Sequence, residues 1–414
     1  MTGGDDNVSR GLAGRRAAAD PEAAWFVSPA PRPQAPVVLF CLPYAGAGPS
    51  VFHRWSQLLG PDVDVAAVAL PGREGRFFEQ PEWSVAELAG AVVARAGGRP
   101  YALYGHSMGA KVGFEVVREL RRRGAQLPGL VAFGGSRAPS RPHPLDGLSR
   151  VPDLELLRRL AEVGNLPAAV VEEPELRDLV MPAIRADFRW LDELAHPPEP
   201  PLPVPMRVFA GADDRLATPA ELLHWLPHAG AGFRQRTLPG GHFFLVSDPT
   251  RLAAALRAEL AVVTGTAAGP GLAAAPPEED EVHVWYARVD RLAGPAGATA
   301  ELARRVVAAY RDRATAGLRY AAGYGGAVVV VAVTRGHDVA VEVQPEGAAA
   351  GPGQPGEGGS AAADRPGPQA GWRLTRLPLP GAVAVVAQRR DAWRLCLEEV
   401  GPGHELAEPG GGPP

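Results

Sequence analysis

The sequence has few of the residues on which several classes of protein depend. Of its 414 residues, only Cys41 and Cys396 are cysteine, which excludes a disulfide framework and a zinc site built from several cysteines. The formal net charge is −4, so there is no electrostatic basis for binding nucleic acid or an acidic membrane surface. No apolar run reaches the ~18 residues of a membrane span, and the N-terminal residues are polar where a signal peptide needs an apolar stretch. We therefore expect a cytoplasmic chain without a membrane segment or a nucleic-acid partner.

Lysine is almost absent as well, since Lys111 is the only lysine among 42 basic residues. Glycine and proline are instead abundant, with 50 and 44 residues, and together with alanine they indicate a coding bias from which we infer no function. Such a content also predicts stretches without regular structure. We assign these to a disordered N-terminal arm over residues 1–32, a linker over 264–279, a disordered insert over 345–371 and a tail over 401–414.

Between these stretches the chain divides into two units. Residues 33–263 contain short apolar runs separated by helical segments, the pattern of a mostly parallel sheet covered on both faces. The predicted strands include residues 37–40, 65–70, 101–104, 130–133 and 206–209. Over about 137–200 the alternation stops, and the spacing predicts helices over 154–160, 174–180 and 183–194. The predicted fold class is therefore α/β with a helical lid, followed by a small C-terminal α+β domain over 280–400.

A candidate nucleophile lies in the segment Gly105-His106-Ser107-Met108-Gly109. In a glycine-rich chain this G-x-S-x-G pattern alone is weak, but an apolar strand leads into it and an amphipathic helix leads out. Such a tight turn from strand to helix strains the serine and places its hydroxyl at the helix N-terminus. Ser107 is therefore predicted as the nucleophile, against the alternative of a glycine-rich turn with an unreactive serine.

A serine hydroxyl needs a base at neutral pH, and the base needs an acid that orients it. His242 follows the last predicted strand in a glycine turn, from which a loop can reach Ser107. Asp213 and Asp214 follow the strand at 207–209, and the order serine, acid, histidine is that of α/β-hydrolases. We predict His242 as the base and Asp214 as its partner. Asp213 remains an alternative for the acid. The alternative for His242 is an ordinary surface histidine in a turn.

The charged intermediate of acyl transfer also needs hydrogen-bond donors. The backbone N–H of Met108, directly after the nucleophile, is one candidate. The second is expected from the glycine-rich loop at residues 42–48, where we select Tyr44. This loop lacks the G-K-[S/T] of a phosphate-binding loop, and we predict neither a metal nor a cofactor.

Residues 33–262 resemble the type II, or editing, thioesterases of polyketide and nonribosomal peptide synthesis. The segments that carry the resemblance are 39–46, 69–74, 105–109, 134–139, 181–188, 210–214 and 239–244. The resemblance implies an α/β-hydrolase fold that hydrolyses acyl groups from phosphopantetheine thiols of acyl or peptidyl carrier protein domains. Residues 163–167 depart from the family, whose lid usually shows paired glycines here.

The residues by themselves predict less than the resemblance does. They indicate a serine hydrolase that transfers acyl groups, without distinction between thioester and oxygen ester. An esterase for free small molecules and a carrier-docking scaffold with a vestigial hydrolase remain alternatives. Apolar residues of the lid either line an acyl chamber or pack the lid against the core. They are Leu179, Val180, Ile184, Phe188, Trp190 and Leu191.

The C-terminal unit resembles surfactin-type phosphopantetheinyl transferases over about residues 280–400. The segments 280–290, 323–333, 336–344, 372–374 and 382–397 carry this resemblance. Tyr324 stands where that family has a histidine, and Glu342 and Gln344 stand where it has two acidic metal ligands. An amide is a weaker ligand for Mg²⁺ than a carboxylate, and the Lys-Glu-Ala helix of the family is missing. We therefore predict a degenerate, inactive transferase-like domain, with an unrelated small α+β domain as the alternative.

Overall fold

The structure is a computed structural model that describes residues 23–164, 166–264, 281–288, 318–325, 328–335, 339–345, 373–379, 382–388 and 394–399. Residues 1–22 of the predicted arm, and the linker, insert and tail apart from their end positions 264 and 345, lie outside the described residues. Within the described part, no helix combines the length and the apolar character that crossing a membrane requires.

The strands of the described chain are β1 Phe26–Val27, β2 Val37–Leu42, β3 Val63–Val68, β4 Tyr101–His106, β5 Leu130–Gly134, β6 Met206–Gly211, β7 Phe233–Leu238, β8 Glu281–Arg288, β9 Leu318–Gly325, β10 Val328–Arg335, β11 Val339–Pro345, β12 Arg373–Leu379, β13 Ala382–Gln388 and β14 Arg394–Glu399. The α-helices are α1 Trp55–Leu59, α2 Val85–Ala96, α3 Met108–Arg122, α4 Asp153–Val163, α5 Ala168–Glu172, α6 Pro174–Glu193, α7 Pro219–Leu222, α8 Phe244–Ser247 and α9 Pro249–Val263. Short 3-10 helices lie at Ala23–Trp25, Pro49–Phe52, Glu74–Arg76, Leu148–Arg150 and Leu223–His228.

A parallel sheet forms the centre of the first unit, with its strands in the order β3-β2-β4-β5-β6-β7. The five predicted strands overlap β2 to β6. β2 through β5 are buried along their whole length, because α2 and α3 cover one face of the sheet and α1 and α9 cover the other. The carboxyl ends of parallel strands meet at one edge of a sheet. The loops after β2, β4, β6 and β7 are therefore neighbours, although they lie far apart in the sequence.

Part of the predicted arm over 1–32 has regular structure, namely the 3-10 helix Ala23–Trp25 and the strand β1. Phe26 pairs with Val68 in an antiparallel bridge, which adds β1 to the edge of the sheet. The Phe26 ring packs on Phe40 with ring centroids 5.0 Å apart. Burial of these rings explains why the segment joins the sheet despite its proline-rich composition.

The helical insertion lies between β5 and β6 and contains α4, α5 and α6. The sequence predicts two helices, over 174–180 and 183–194, where the structure has the single helix α6 with Pro182 inside it. A proline in a helix removes one backbone hydrogen bond. Apolar side chains on both sides of it, including Met181, Ile184 and Phe188, enter one buried cluster, and this packing keeps the helix continuous.

Four of the C-terminal strands extend the first sheet. β14 pairs antiparallel with β7, at Cys396 and Arg236, and continues the sheet in the order β14-β8-β10-β9. The Thr237 hydroxyl donates to the carbonyl oxygen of Leu395 at 2.8 Å. β11, β13 and β12 form a second, three-stranded sheet. All described residues after 280 lie in strands, so the helical part of the predicted α+β domain falls outside them.

Asp64 of β3 is a fully buried carboxylate that ties α2 to the sheet. It lies 2.8 Å from Arg95 and 3.2 Å from Arg99, and it accepts a hydrogen bond from the backbone N–H of Arg32 at 3.1 Å. Removal of a buried charge leaves its partners without compensation, whereas an exposed ion pair contributes little.

We expect Asp64→Ala to lower the free energy of unfolding by about 3 kcal/mol. The matched control is Glu79→Ala, which removes a surface carboxylate that binds Arg76 at 2.9 Å and should cost less than about 1 kcal/mol. Urea denaturation of both variants measures the difference. Equal losses of unfolding free energy in the two variants would show that the buried ion pairs of Asp64 stabilise the fold no more than a surface ion pair does.

Candidate active site

Ser107 lies at the turn between β4 and α3 in a strained backbone conformation, with φ of 53°. Such a φ is rare for a residue with a side chain. The turn closes only because its neighbours are glycines. A Cβ on Gly105 would lie 2.2 Å from the carbonyl oxygen of Gly109, and a Cβ on Gly109 would lie 2.2 Å from that of Leu42. The structure therefore requires both glycines of the G-x-S-x-G segment.

The three residues predicted as a catalytic group lie in one hydrogen-bonded row. The Ser107 hydroxyl is 3.2 Å from His242 Nε2, and His242 Nδ1–H donates to Asp214 Oδ2 at 2.9 Å. The other carboxylate oxygen of Asp214 accepts backbone N–H groups from Leu216 at 2.8 Å and Ala217 at 3.0 Å. Two backbone donors hold the carboxylate, and the carboxylate in turn orients the imidazole.

Asp213, the alternative acid, has a different environment. Its side chain is exposed, whereas Asp214 is buried. The backbone N–H of Asp213 donates to the carbonyl oxygen of Gly240 at 2.9 Å. Asp213 thus supports the loop that carries His242, and its carboxylate is not the one that contacts the imidazole.

His106, to which the sequence analysis assigned no role, also positions this loop. Its Nδ1 accepts from the Tyr104 hydroxyl at 2.9 Å, and its Nε2–H donates to the backbone carbonyl of His242 at 2.8 Å. Burial, and secondarily the nearby His242, lower the pKa of His106 to about 3. The ring is therefore neutral near pH 7, as this pair of hydrogen bonds requires. Its position inside the G-x-S-x-G segment was the signal available in the sequence.

The two predicted oxyanion donors border the cavities that open on Ser107. Met108 is the first residue of α3 and is buried. Tyr44 is half-buried in the loop after β2, with its ring 4.9 Å from the ring of Phe243. Both residues share a cavity wall with Ser107.

A buried ion pair fixes the loop that contains Tyr44. Asp187 of α6 binds Arg73 through two contacts of 2.6 and 2.8 Å. Asp187 also accepts the backbone N–H of Gly46 at 2.7 Å, and Arg73 donates to the carbonyl oxygen of Ala47 at 3.2 Å. The sequence marked the segments 69–74 and 181–188 as specific to the family, but it did not predict that they meet.

An apolar cavity of about 240 Å³ lies under the helical insertion and reaches both Ser107 and His242. Three of the lid residues named from the sequence, Val180, Ile184 and Phe188, line it. The others do not: the Trp190 ring stacks on Trp83 at 5.4 Å, Leu179 is 50% exposed, and Leu191 borders a smaller cavity. Some apolar residues of the lid therefore line the chamber, whereas others pack elsewhere or lie at the surface.

A wider cavity of about 560 Å³ also borders His242 and shares Leu145, Val163 and Leu216 with the apolar cavity. Its wall includes the charged residues Arg159, Glu162, Asp213 and Arg215. His242 thus borders both an apolar chamber and a polar vestibule, and Ser107 borders the chamber. Such a division suits a substrate that has one apolar end and one polar end.

Comparison with known proteins agrees with this geometry. The family model described as the thioesterase domain matches residues 38–260. The chain belongs to the thioesterase family. The predicted α/β-hydrolase fold and the predicted activity, hydrolysis of thioesters, are therefore confirmed.

Individual relatives cover the same part of this thioesterase. Thioesterase PikA5 of Streptomyces venezuelae is 36% identical over 53% of this chain and 80% of its own length. Gramicidin S biosynthesis protein GrsT of Aneurinibacillus migulanus is 31% identical over 53% of this chain and 88% of its own. The crystal structure of ClbQ from the colibactin NRPS/PKS pathway is 25% identical, with a TM-score of 0.53, over 56% of this chain and all of its own.

We expect His106→Phe to lower kcat about 10- to 100-fold, because a loop that is displaced by less than 1 Å misplaces His242. The pH dependence of the remaining activity should not change, since His106 does not titrate near neutral pH. Initial rates between pH 5 and 9 test this, with His53→Phe on the surface as the control. A rate equal to that of the unaltered enzyme would show that His106 does not position the loop.

Proposed function

We propose that this thioesterase is a type II, editing enzyme that removes aberrant or stalled acyl groups from phosphopantetheine thiols of acyl or peptidyl carrier proteins. The observation that carries the proposal is that His242 borders both an apolar chamber and a polar vestibule, while Ser107 borders the chamber. An acyl chain suits the chamber, and the polar pantetheine arm suits the vestibule. Relatives from antibiotic and NRPS/PKS pathways support this choice of substrate.

The proposed reaction begins when His242 takes the proton of the Ser107 hydroxyl, which attacks the thioester carbonyl. The oxygen of that carbonyl becomes negative, and the backbone N–H groups of Met108 and Tyr44 are the proposed donors to it. His242 then protonates the leaving thiolate, which departs through the vestibule. In the second half, His242 activates a water that hydrolyses the acyl-serine. Asp214 stabilises the charged imidazole in both halves.

The position of His242 determines on which side the leaving group of the thioester departs. His242 borders the vestibule and Ser107 does not, so the group that His242 protonates leaves on that side. The acyl group stays on the Ser107 side, where the chamber has a volume of about 240 Å³. A chamber of this size suits short to medium acyl chains, because a pocket must bury most of its ligand.

For the second unit we propose a degenerate, inactive transferase-like domain over 280–400, separate in origin from the thioesterase over 33–263. Its support is the sequence pattern. Tyr324 lies in β9, and Glu342 and Gln344 lie in β11, at the positions where active relatives would carry a histidine and two acidic ligands. An amide in place of a carboxylate weakens a magnesium site.

We expect Ser107→Ala to lower hydrolysis of acyl-carrier substrates about 10³-fold or more, because no other group replaces the nucleophile. Asp214→Asn should lose about as much, whereas Asp213→Asn should stay within a factor of about three, since its carboxylate is exposed and does not contact His242. Intact-mass analysis of acylated carrier proteins measures all three variants.

The same assay separates the proposed substrate from its rivals. Oxygen esters of the same acyl groups should react much more slowly than the carrier thioesters. Comparable rates on free esters would indicate a general esterase. Retention of activity in Ser107→Ala, or a larger loss in Asp213→Asn than in Asp214→Asn, would contradict the proposed roles.

We expect no transfer of phosphopantetheine from coenzyme A to an apo carrier protein in the presence of Mg²⁺ or Mn²⁺. The reason is the loss of one acidic ligand at Gln344, together with the missing Lys-Glu-Ala helix. Mass spectrometry of the apo carrier is the measurement, with an active transferase as the positive control. A carrier heavier by one phosphopantetheine arm would show that the domain is active.

A further inference from the structure

Lys111, the only lysine of the chain, lies in the wall of the reaction site. It is four residues after Ser107 and therefore on the same face of α3 as the nucleophile. Only 7% of its surface is exposed. Lys111, Ser107 and Met108 line one small cavity of about 30 Å³, to which Ser136, His143 and Phe188 also contribute.

The ammonium group of Lys111 has no close partner among the described residues, where no hydrogen bond or ion pair joins it to another group. The charges that act on it from a distance are the carboxylates of Asp146 and Asp192 and the guanidinium of Arg137, and burial lowers its pKa. The ammonium keeps some solvent contact, so its acceptor is either a water or an oxygen of the substrate.

Both carboxylates near Lys111 are already bound to backbone groups. Asp146 accepts the N–H of His143 at 2.6 Å. Asp192 accepts those of Gly147 at 2.7 Å and Ser149 at 3.0 Å. Neither carboxylate forms an ion pair with Lys111, although Asp146 borders the same cavity.

The charges around the cavity decide which kind of acceptor it takes. Lys111 and Arg137 are matched in number by Asp146 and Asp192, so the site has an unused donor but no surplus of positive charge. A carboxylate on the ligand would be a third beside Asp146 and Asp192. A neutral oxygen, such as a hydroxyl or a ketone, accepts the hydrogen bond without this repulsion.

The size of the cavity limits where such an oxygen sits on the substrate. About 30 Å³ holds one small group, comparable to the ~30 Å³ that a water occupies in the liquid. Because the cavity borders Ser107 itself, an oxygen close to the reacting carbonyl is the one placed to enter it. Substituents further along the chain enter the apolar chamber instead.

We propose that this cavity, here called the Lys111 subsite, binds a neutral oxygen on carbon 3 of the acyl group, so that the enzyme prefers 3-hydroxy and 3-oxo acyl chains to unsubstituted ones. The proposal rests on the proposed function, since it concerns the same acyl-carrier substrates. It makes Lys111 a residue that determines specificity and leaves the chemistry to the groups already described.

The test uses the full chain and one carrier protein loaded with butyryl, 3-hydroxybutyryl or 4-hydroxybutyryl groups. We expect kcat/KM for the 3-hydroxy substrate to exceed that for butyryl about tenfold, as one hydrogen bond to a charged donor allows. The 4-hydroxy substrate should show no such advantage. Lys111→Met should remove the preference by slowing the 3-hydroxy substrate alone, whereas Arg257→Met, on the exposed side of α9, should keep it.

The outcomes separate the two proposals. Hydrolysis of all three substrates at similar rates by the unaltered enzyme would overturn the subsite and leave the editing function standing. A preference that persists in Lys111→Met would overturn it as well. Hydrolysis of none would overturn both. If Lys111→Met does not fold, the comparison of 3-hydroxy with 4-hydroxy substrates in the unaltered enzyme decides the question by itself.

Discussion

The ion pair between Arg73 and Asp187 is the constraint on which the geometry of the reaction site depends. Both side chains are almost fully buried, and burial of two charges is favourable only when their hydrogen bonds are nearly all satisfied. Here the further hydrogen bonds of the pair go to backbone groups of Gly46 and Ala47, which lie beside the nucleophile. One interaction thus joins the insertion helix α6, the loop after β2 and the segment after β3, so the lid and the oxyanion loop cannot move independently at this point.

Around this ion pair, different groups hold different parts of the reaction site in place. Backbone N–H groups hold Asp214, Asp214 orients the ring of His242, and His106 holds the backbone of the same residue. The imidazole is therefore fixed at both its ring and its main chain. Such double support keeps the imidazole at a constant distance from Ser107, which the proposed proton transfer requires because it depends steeply on geometry. The substrate has to supply only the groups that fill the cavities on either side.

Several features of this site could be predicted from the sequence because the chemistry demands particular residues at particular places. Ser107 needs glycines at 105 and 109, since a Cβ at either position would overlap backbone atoms. Apolar runs predicted the strands because a parallel sheet is buried on both faces. Local patterns failed where distant contacts decide the outcome. Phe26 joins the sheet through Phe40, and α6 continues through Pro182 because side chains on both sides pack into one cluster.

By itself, the sequence determined the α/β class, the thioesterase family and the order of the reactive residues, because strand burial and the turn at Ser107 are local requirements. Only the tertiary structure decided which aspartate meets His242, how Arg73 reaches Asp187, and that β14 adds to β7. It alone placed Lys111 in the wall of the site. These outcomes join residues that are far apart in the chain or differ by a single position. Sequence patterns favoured Asp214 and put Lys111 on the face of α3 that carries Ser107, but the contacts themselves form only when the sheet brings distant segments together.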